Sequence, residues 1–313
     1  MTKVFIDGSQ GTTGLKIESR LRSRDDIELL KIDRDMRKNI DARERMINSS
    51  DVTILCLPDE ASREAVALIQ NKKVKIIDTS TAHRTEPEWA YGFPELDKSF
   101  REKIKTSNRI AIPGCYASGF SAIVYPLVNS GIIARDYPIT CYAISGYTGA
   151  GKNGIAQYEF VDRNKELDAP RQYALSQEHK HLKEMTAIPQ LERVPFFAPH
   201  ICDYRYGMVV SIPIFADMME KKMTPEELQH FFAKHYEGEP LIKVRDLGYS
   251  GNMIGANNFA KRDDMEIEIN GNDERILITT RFDNLGKGAS GAAMQCLNLA
   301  LGIDETKGLK TGE

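Results

Sequence analysis

Apolar and polar residues along this chain follow two successive regimes. In the first, short apolar runs alternate with amphipathic stretches. Lys3–Asp7 (KVFID) predicts a buried strand, and Leu15, Ile17 and Leu21 follow at helical spacing. Ile27–Ile32 predicts a second strand, Asp51–Leu57 a third ended by Pro58, and Lys75–Asp78 a fourth. Between the last two, Asp59–Gln70 predicts an amphipathic helix with Ala61, Ala65, Val66, Leu68 and Ile69 on its inner side. A charged helix is expected over Asp97–Lys105. Strands alternating with helices imply a parallel, doubly wound α/β sheet.

Beyond about residue 136 the strands lengthen and several alternate with period two. Ile139–Ser145, Met208–Ile214, Met265–Ile269 and Arg275–Phe282 are the predicted strands, the last two joined by the turn Asn270-Gly271-Asn272-Asp273. Such a set fits a mixed or antiparallel sheet in a second domain. Thr224 and Pro225 mark a helix start as N-cap and first helical residue. Gly286–Leu301, rich in small residues, predicts a final helix.

Composition changes this picture little. With 313 residues, 41% hydrophobic and 28% charged, and a net charge of −3, the chain can bury a sizeable core and lacks the charge bias of a nucleic-acid or membrane-surface binder. The N-terminus enters a strand pattern directly, with no leader-like segment, and no apolar run is long enough to span a bilayer. The five cysteines are widely spaced and form no CxxC pair, which argues against disulfides and structural zinc and fits a cytoplasmic protein.

Candidate chemistry sits at the ends of predicted elements. Gly8-Ser9-Gln10-Gly11-Thr12-Thr13-Gly14 joins the first strand to the first helix, the order of a dinucleotide-binding unit with pyrophosphate at the helix N-terminus. Asp33, at the end of the second strand, suits the ribose 2′-OH of NAD, whereas Arg34, Arg37 and Lys38 suit the 2′-phosphate of NADP; the residues leave both cofactors open. Ser80 lies in the polar segment Thr79–Arg84 at a strand's C-terminal end, where ligands of such sheets bind.

Cys115, in Ile110–Pro126, follows a Pro-Gly turn and precedes an apolar helical pattern. A cysteine at a helix N-terminus suits a thiolate nucleophile, and equally a cysteine in an apolar run suits burial. Ala117, Ser118 and Gly119 are small enough to let substrate and backbone approach the sulfur closely. His179, His181 and His200 are candidate proton partners. The His-x-His pair could also hold a metal, but no convincing third protein ligand accompanies it. Ser145 and Gly146 open the glycine-rich SGYTGAGK, either a flexible loop or a backbone-amide cradle for an anion. Arg205 could fork onto a phosphate or carboxylate, or lie on the surface. A dinucleotide unit with a nucleophilic cysteine and a histidine suits acyl transfer to sulfur followed by hydride reduction, or the reverse.

The segment IPGCYAS around Cys115 resembles the active-site signature of the N-acetyl-γ-glutamyl-phosphate reductase family, in its short form. GSQGTTGL, YGFPEL, SGYTGAGK, HKH, FAPHICDYRYGM and DNLGKGASGAAMQCLNLALG fall in the family's order and extend the resemblance over nearly the whole chain. It implies NADPH-dependent reduction of N-acetyl-γ-glutamyl phosphate, the third step of arginine biosynthesis, with the same chemistry on N-acetyl-aminoadipyl or aspartyl phosphate as the alternative. Cys115 would form the acyl-enzyme thioester and His181 act as acid/base, with His179 and Arg205 holding substrate and Gly11, Thr12, Thr13 and Gly14 the NADP pyrophosphate. The implied fold is a Rossmann-type domain (residues 1–115, with the C-terminal helix about 286–313 returning to it) and an α+β catalytic and dimerisation domain (116–285), of semialdehyde-dehydrogenase type. A homodimer or tetramer is expected. Ser118 replaces the family's usual Thr, and Lys180 and Lys183 replace an Arg and a Pro of its histidine segment.

Overall fold

A computed structural model describes residues 1–312 and divides into two compact units. The first comprises residues 1–113 and 289–309, the second residues 114–288 with the last residues from 310. The division falls before Cys115, so that the cysteine opens the second unit.

In the first unit, β1 (Thr2–Asp7) leads through the glycine-rich turn into α1 (Thr12–Leu21). Ile17 and Leu21 are buried on the inner face of α1, whereas Leu15 points outward. β2 (Ile27–Leu30) ends two residues earlier than its apolar run. A helix that the hydrophobic pattern did not announce follows: α2 (Ile40–Ser49), which buries Ala42, Arg43 and Ile47. The charged member of that face is satisfied, because Arg43 Nε donates to the buried Asp7 carboxylate at 2.9 Å. Then come β3 (Val52–Leu55), α3 (Asp59–Ala67), β4 (Lys75–Asp78), the two-residue β5 (Ala90–Tyr91), α4 (Lys98–Thr106) and β6 (Arg109–Ala111). All six strands pair in parallel, in the order β2-β1-β3-β4-β6-β5.

The second unit opens with α5 (Cys115–Asn129) and continues through β7 (Thr140–Gly146), α6 (Gly151–Glu159), β8 (Arg171–Gln172), α7 (Leu182–Ala187) and β9 (Phe196–Cys202). β10 (Met208–Phe215), α8 (Pro225–His235), β11 (Ile242–Val244), β12 (Met265–Gly271) and β13 (Arg275–Phe282) complete it. Its mixed seven-stranded sheet runs β11-β12-β13-β10-β7-β9-β8. Thr224 and Glu227 form a reciprocal capping box at the start of α8, as the sequence predicts. Period-two burial sorts the strands into two faces. Met208, Val210, Ile212, Ile278 and Phe282 are buried on the face that α5 covers, while Tyr142, Phe196, Phe215 and Leu277 stand exposed on the other. After β13 a π turn over residues 286–290 precedes α9 (Gly291–Ala300), which packs into the core of the first unit beside Val4, Ile54 and Ile110.

The helix α5 contains a proline, Pro126. Without an N–H, Pro126 leaves the Ala122 carbonyl short of its helical partner, and the hydroxyl of buried Tyr236 donates to that oxygen at 2.7 Å. Tyr236→Phe keeps the packing and removes the donor. It is expected to cost about 1–3 kcal/mol, the scale for orphaning a buried acceptor, read as a lower denaturation midpoint. An unchanged midpoint would show that the carbonyl finds another partner.

Candidate active site

Cys115 is half-buried and is the first residue of α5. Gly114 is the N-cap, and no side chain caps the first turn, so the backbone N–H groups there are directed at the region of the sulfur. This is the electrostatic setting that favours a thiolate. The Gly114 N–H is held from the other side, donating to the Glu184 carboxylate of α7 at 3.2 Å. Gly288 packs on the cysteine so closely that a Cβ there would lie 2.9 Å from Cys115 Cβ. Ala117, Ser118 and Gly119 are buried, and a Cβ at Gly119 would meet Thr280, Val210 and Phe282 at 2.6–2.8 Å. Gly119 thus lets α5 lie close on β10 and β13.

The histidine pair gathers on the neighbour of Cys115. Tyr116 has its ring centroid 5.9 Å from those of both His179 and His181. The two imidazoles sit edge to face at 4.6 Å. His181 is buried at the N-cap of α7, and its backbone N–H donates to His179 Nδ1 at 3.1 Å. That contact makes Nδ1 of His179 an acceptor, which puts the proton of a neutral ring on Nε2, facing the Tyr173 hydroxyl at 3.4 Å. Both nitrogens of His179 are therefore engaged in holding the segment. Among the described residues no cluster of three or more metal-type ligands forms. Burial pushes the Tyr116 and Tyr173 hydroxyls up, with the nearby Cys115 sulfur adding to both, so they remain protonated donors.

The other expected residues divide. His200 lies on β9 with its ring against Tyr142, on the face away from α5, and does not join the cluster. Ser145 is buried; its hydroxyl donates to the Gly146 carbonyl at 3.2 Å and also engages the Tyr116 hydroxyl. The first amides of SGYTGAGK after Ser145 are engaged within the protein. Gly146, Tyr147 and Thr148 donate theirs to the carbonyls of Gly207, Tyr204 and Arg205. Gly146 is needed because a Cβ would sit 2.6 Å from the Tyr204 carbonyl oxygen. Arg205 is half exposed and paired with Glu159 at 2.8 Å. Two residues that the sequence reading passed over brace this region. Asn284 accepts from Gly207 N–H at 3.0 Å and donates to Thr148 at 3.0 Å, and Asp283 accepts the Leu285 and Gly286 amides in the turn that carries Gly288. Their signal was present as the polar DNLG before the last helix.

The cofactor residues lie in the first unit. Gly8 has φ +86°, and a Cβ at Gly14 would fall 2.6 Å from the Gly8 carbonyl, so both glycines are demanded by the turn itself. Gly11 differs: its Cβ would meet nothing nearer than 3.7 Å. The space there is what a pyrophosphate needs to approach the backbone. Thr12 Oγ1 is buried with no hydrogen-bond partner, and the N-terminus of α1 has no side-chain cap. Turn, free amides and orphaned hydroxyl together fit a dinucleotide phosphate; Thr13 follows in the same first turn. Ser80 is occupied locally: its hydroxyl donates to the buried Asp78 carboxylate at 2.7 Å, which also meets His83 Nδ1 at 2.6 Å. Those bonds shape the polar loop after β4.

Comparison with known proteins gives matches along both units. Residues 3–107 match a family model described as the semialdehyde dehydrogenase NAD-binding domain, and residues 115–284 the semialdehyde dehydrogenase dimerisation domain. The N-acetyl-γ-glutamyl-phosphate reductase of Sinorhizobium medicae (strain WSM419) is 44% identical over 305 residues, covering 96% of this chain and 98% of the relative. The N-acetyl-γ-glutamyl-phosphate reductase 2 of Nostoc sp. (strain PCC 7120) is 43% identical, covering 98% and 99%. In fold, the chain is similar to the crystal structure of aspartate semialdehyde dehydrogenase II from Vibrio cholerae, with a TM-score of 0.70 at 16% identity, covering 96% and 98% of the two chains. The aspartate semialdehyde dehydrogenase of Francisella tularensis gives a TM-score of 0.68 at 16% identity, covering 96% and 99%.

Proposed function

This chain belongs to the N-acetyl-γ-glutamyl-phosphate reductase family, within the semialdehyde dehydrogenases, and from that premise we propose that it reduces N-acetyl-γ-glutamyl phosphate to N-acetylglutamate 5-semialdehyde with NADPH, releasing phosphate, in arginine biosynthesis. The observation that carries the reading is the seat of Cys115 at the uncapped start of α5, with His179 and His181 gathered on the adjacent Tyr116.

In this mechanism the Cys115 thiolate adds to the acyl carbon, the C–O bond to phosphate breaks, and phosphate leaves with the bonding pair. A Cys115 thioester remains. Bound NADPH supplies the hydride that takes the thioester to the oxidation level of an aldehyde. His181 delivers a proton to the oxygen of the resulting thiohemiacetal and withdraws it as the C–S bond breaks, which frees the aldehyde and restores the thiolate. His179 holds the substrate side of the pocket, and Ser145 and Gly146 brace it. Arg205 is assigned to the acyl phosphate, in exchange for its present partner Glu159. Gly8, Gly11, Thr12, Thr13 and Gly14 hold the pyrophosphate, the loop of Ser80 lines the same site, and an arginine after β2 holds the 2′-phosphate.

The enzyme is proposed to act in the cytoplasm as a homo-oligomer. The dimerisation-domain match and the exposed Tyr142, Phe196, Phe215 and Leu277 on one sheet face support self-association there. Among the described residues no helix is long and apolar enough to cross a membrane.

The reading is tested by phosphate-dependent reduction of NADP⁺ by the purified protein. N-acetylglutamate semialdehyde, N-acetyl-aminoadipate semialdehyde and aspartate semialdehyde are compared as substrates. Turnover of the first, well above the other two, is expected. Preference for either of the others would keep the chemistry and change the substrate, and inactivity with all three would overturn the assignment.

A further inference from the structure

Beside the glycine turn of the first unit lies a cleft of about 160 Å³, walled by Ser9 on one side and by Leu30, Lys31 and Ile32 at the end of β2 on the other. In a dinucleotide-binding unit this place, at the end of the second strand, receives the adenosine ribose. Three cationic residues follow that strand, and the structure separates them. Arg34 is exposed, begins a single 3₁₀ turn, and does not line the cleft. Lys38 is exposed as well. Arg37 closes that turn, is half-buried, and lines the cleft. Its Nε is buried and has no hydrogen-bond partner among the described residues.

A buried guanidinium nitrogen without a partner is costly unless something else satisfies it. The acids nearby do not. Asp33, the residue expected to grip a ribose 2′-OH, is exposed and does not line the cleft. Glu18 does line it, but is paired with Arg22 at 2.6 Å. The cleft thus lacks the free carboxylate of an NAD site and offers an unsatisfied fork donor instead. A phosphate matches that fork, since guanidinium binds phosphate oxygens in a planar, bidentate geometry.

We propose that Arg37, and not Arg34, binds the 2′-phosphate of NADP(H) and sets the preference for it over NAD(H). The assignment rests on the reading of this chain as an NADPH enzyme, and deepens it to one residue.

The experiment separates the two by leaving catalysis out. Binding of 2′,5′-ADP and of 5′-AMP to the full chain is measured by isothermal titration calorimetry, for wild type, Arg37→Gln, Arg37→Lys and Arg34→Gln. Wild type is expected to bind 2′,5′-ADP at least about 10-fold tighter than 5′-AMP, the scale of a hydrogen-bonded charge pair. Arg37→Gln should erase most of that ratio while its 5′-AMP affinity, which reports an intact fold, stays unchanged. Arg37→Lys should retain part of the ratio, because a point charge remains without the fork. Arg34→Gln should keep the ratio to within about 3-fold, as for an exposed charge. Collapse in Arg34→Gln with persistence in Arg37→Gln would overturn the assignment, and so would persistence in both. A wild type that does not discriminate the two nucleotides would remove the NADPH reading itself.

Discussion

Cys115→Ser is expected to reduce turnover by on the order of 10³-fold or more while leaving NADPH affinity unchanged. The substitution is close to isosteric and replaces a polarisable, readily ionised thiol by a hydroxyl that is a far weaker acid and nucleophile. The uncapped first turn of α5 can favour a thiolate, whereas a serine hydroxyl is too weak an acid for the same field to ionise near neutral pH. The cofactor residues Gly8–Gly14 belong to the other compact unit, so their binding should not register the change. A second measurement isolates the sulfur chemistry. Mixed with acyl phosphate and no NADPH, wild type should release close to one equivalent of phosphate in a rapid phase, and Cys115→Ser none. A variant that keeps a large share of wild-type turnover would remove Cys115 as nucleophile. Loss of turnover together with NADPH binding would indicate a folding defect instead.

Much of this arrangement was legible in the chain because local chemistry and fold agree there. β4 lies over the four residues expected for it, Lys75–Asp78, and the cap of α8 is written in Thr224, Pro225 and Glu227. The expected antiparallel pair is present, with its turn over residues 272–274 because Asn270 and Gly271 still pair in β12. Legibility failed where a residue does something unusual for its type. α2 was invisible to a search for apolar spacing because its buried face carries Arg43, made tolerable by Asp7 thirty-six residues earlier. β9 was hidden by Pro199. In the sheet, the Pro199 carbonyl accepts from Tyr173 N–H, so its nitrogen faces the same side, where the two-residue edge strand β8 has already ended and no ladder donor is needed.

At the site, the sequence singled out residues that the structure brings together, and it did not reveal what packs around them. Cys115, His179 and His181 come together around Tyr116. But smallness at Gly119 answers to helix–sheet packing, and Gly146 of SGYTGAGK answers to the 204–207 turn. Both demands arise between segments far apart in the chain, and so could not be read from either segment alone. The same holds for Gly288, which touches Cys115 from 173 positions away.

His181→Ala is expected to lower kcat by about 10²–10⁴-fold, the range of general acid–base catalysis, with His179→Ala acting more on KM. The asymmetry follows from the hydrogen bonds. His179 has Nδ1 accepting the His181 amide and Nε2 against Tyr173, so proton exchange there would break contacts that position the segment. His181 occupies the N-cap of α7, on the helix whose Glu184 holds the Gly114 amide next to Cys115, so its place relative to the nucleophile is fixed through two elements. The pH profile distinguishes a proton shuttle from a packing role. Tyr116 and Tyr173 are raised by burial and remain protonated through neutral pH, so they contribute no ionisation to the rate in that range. The limb of the pH–rate profile that belongs to the proton shuttle should then vanish in His181→Ala and persist, at lower apparent affinity, in His179→Ala. If the limb instead disappears with His179 and survives loss of His181, the two residues exchange roles.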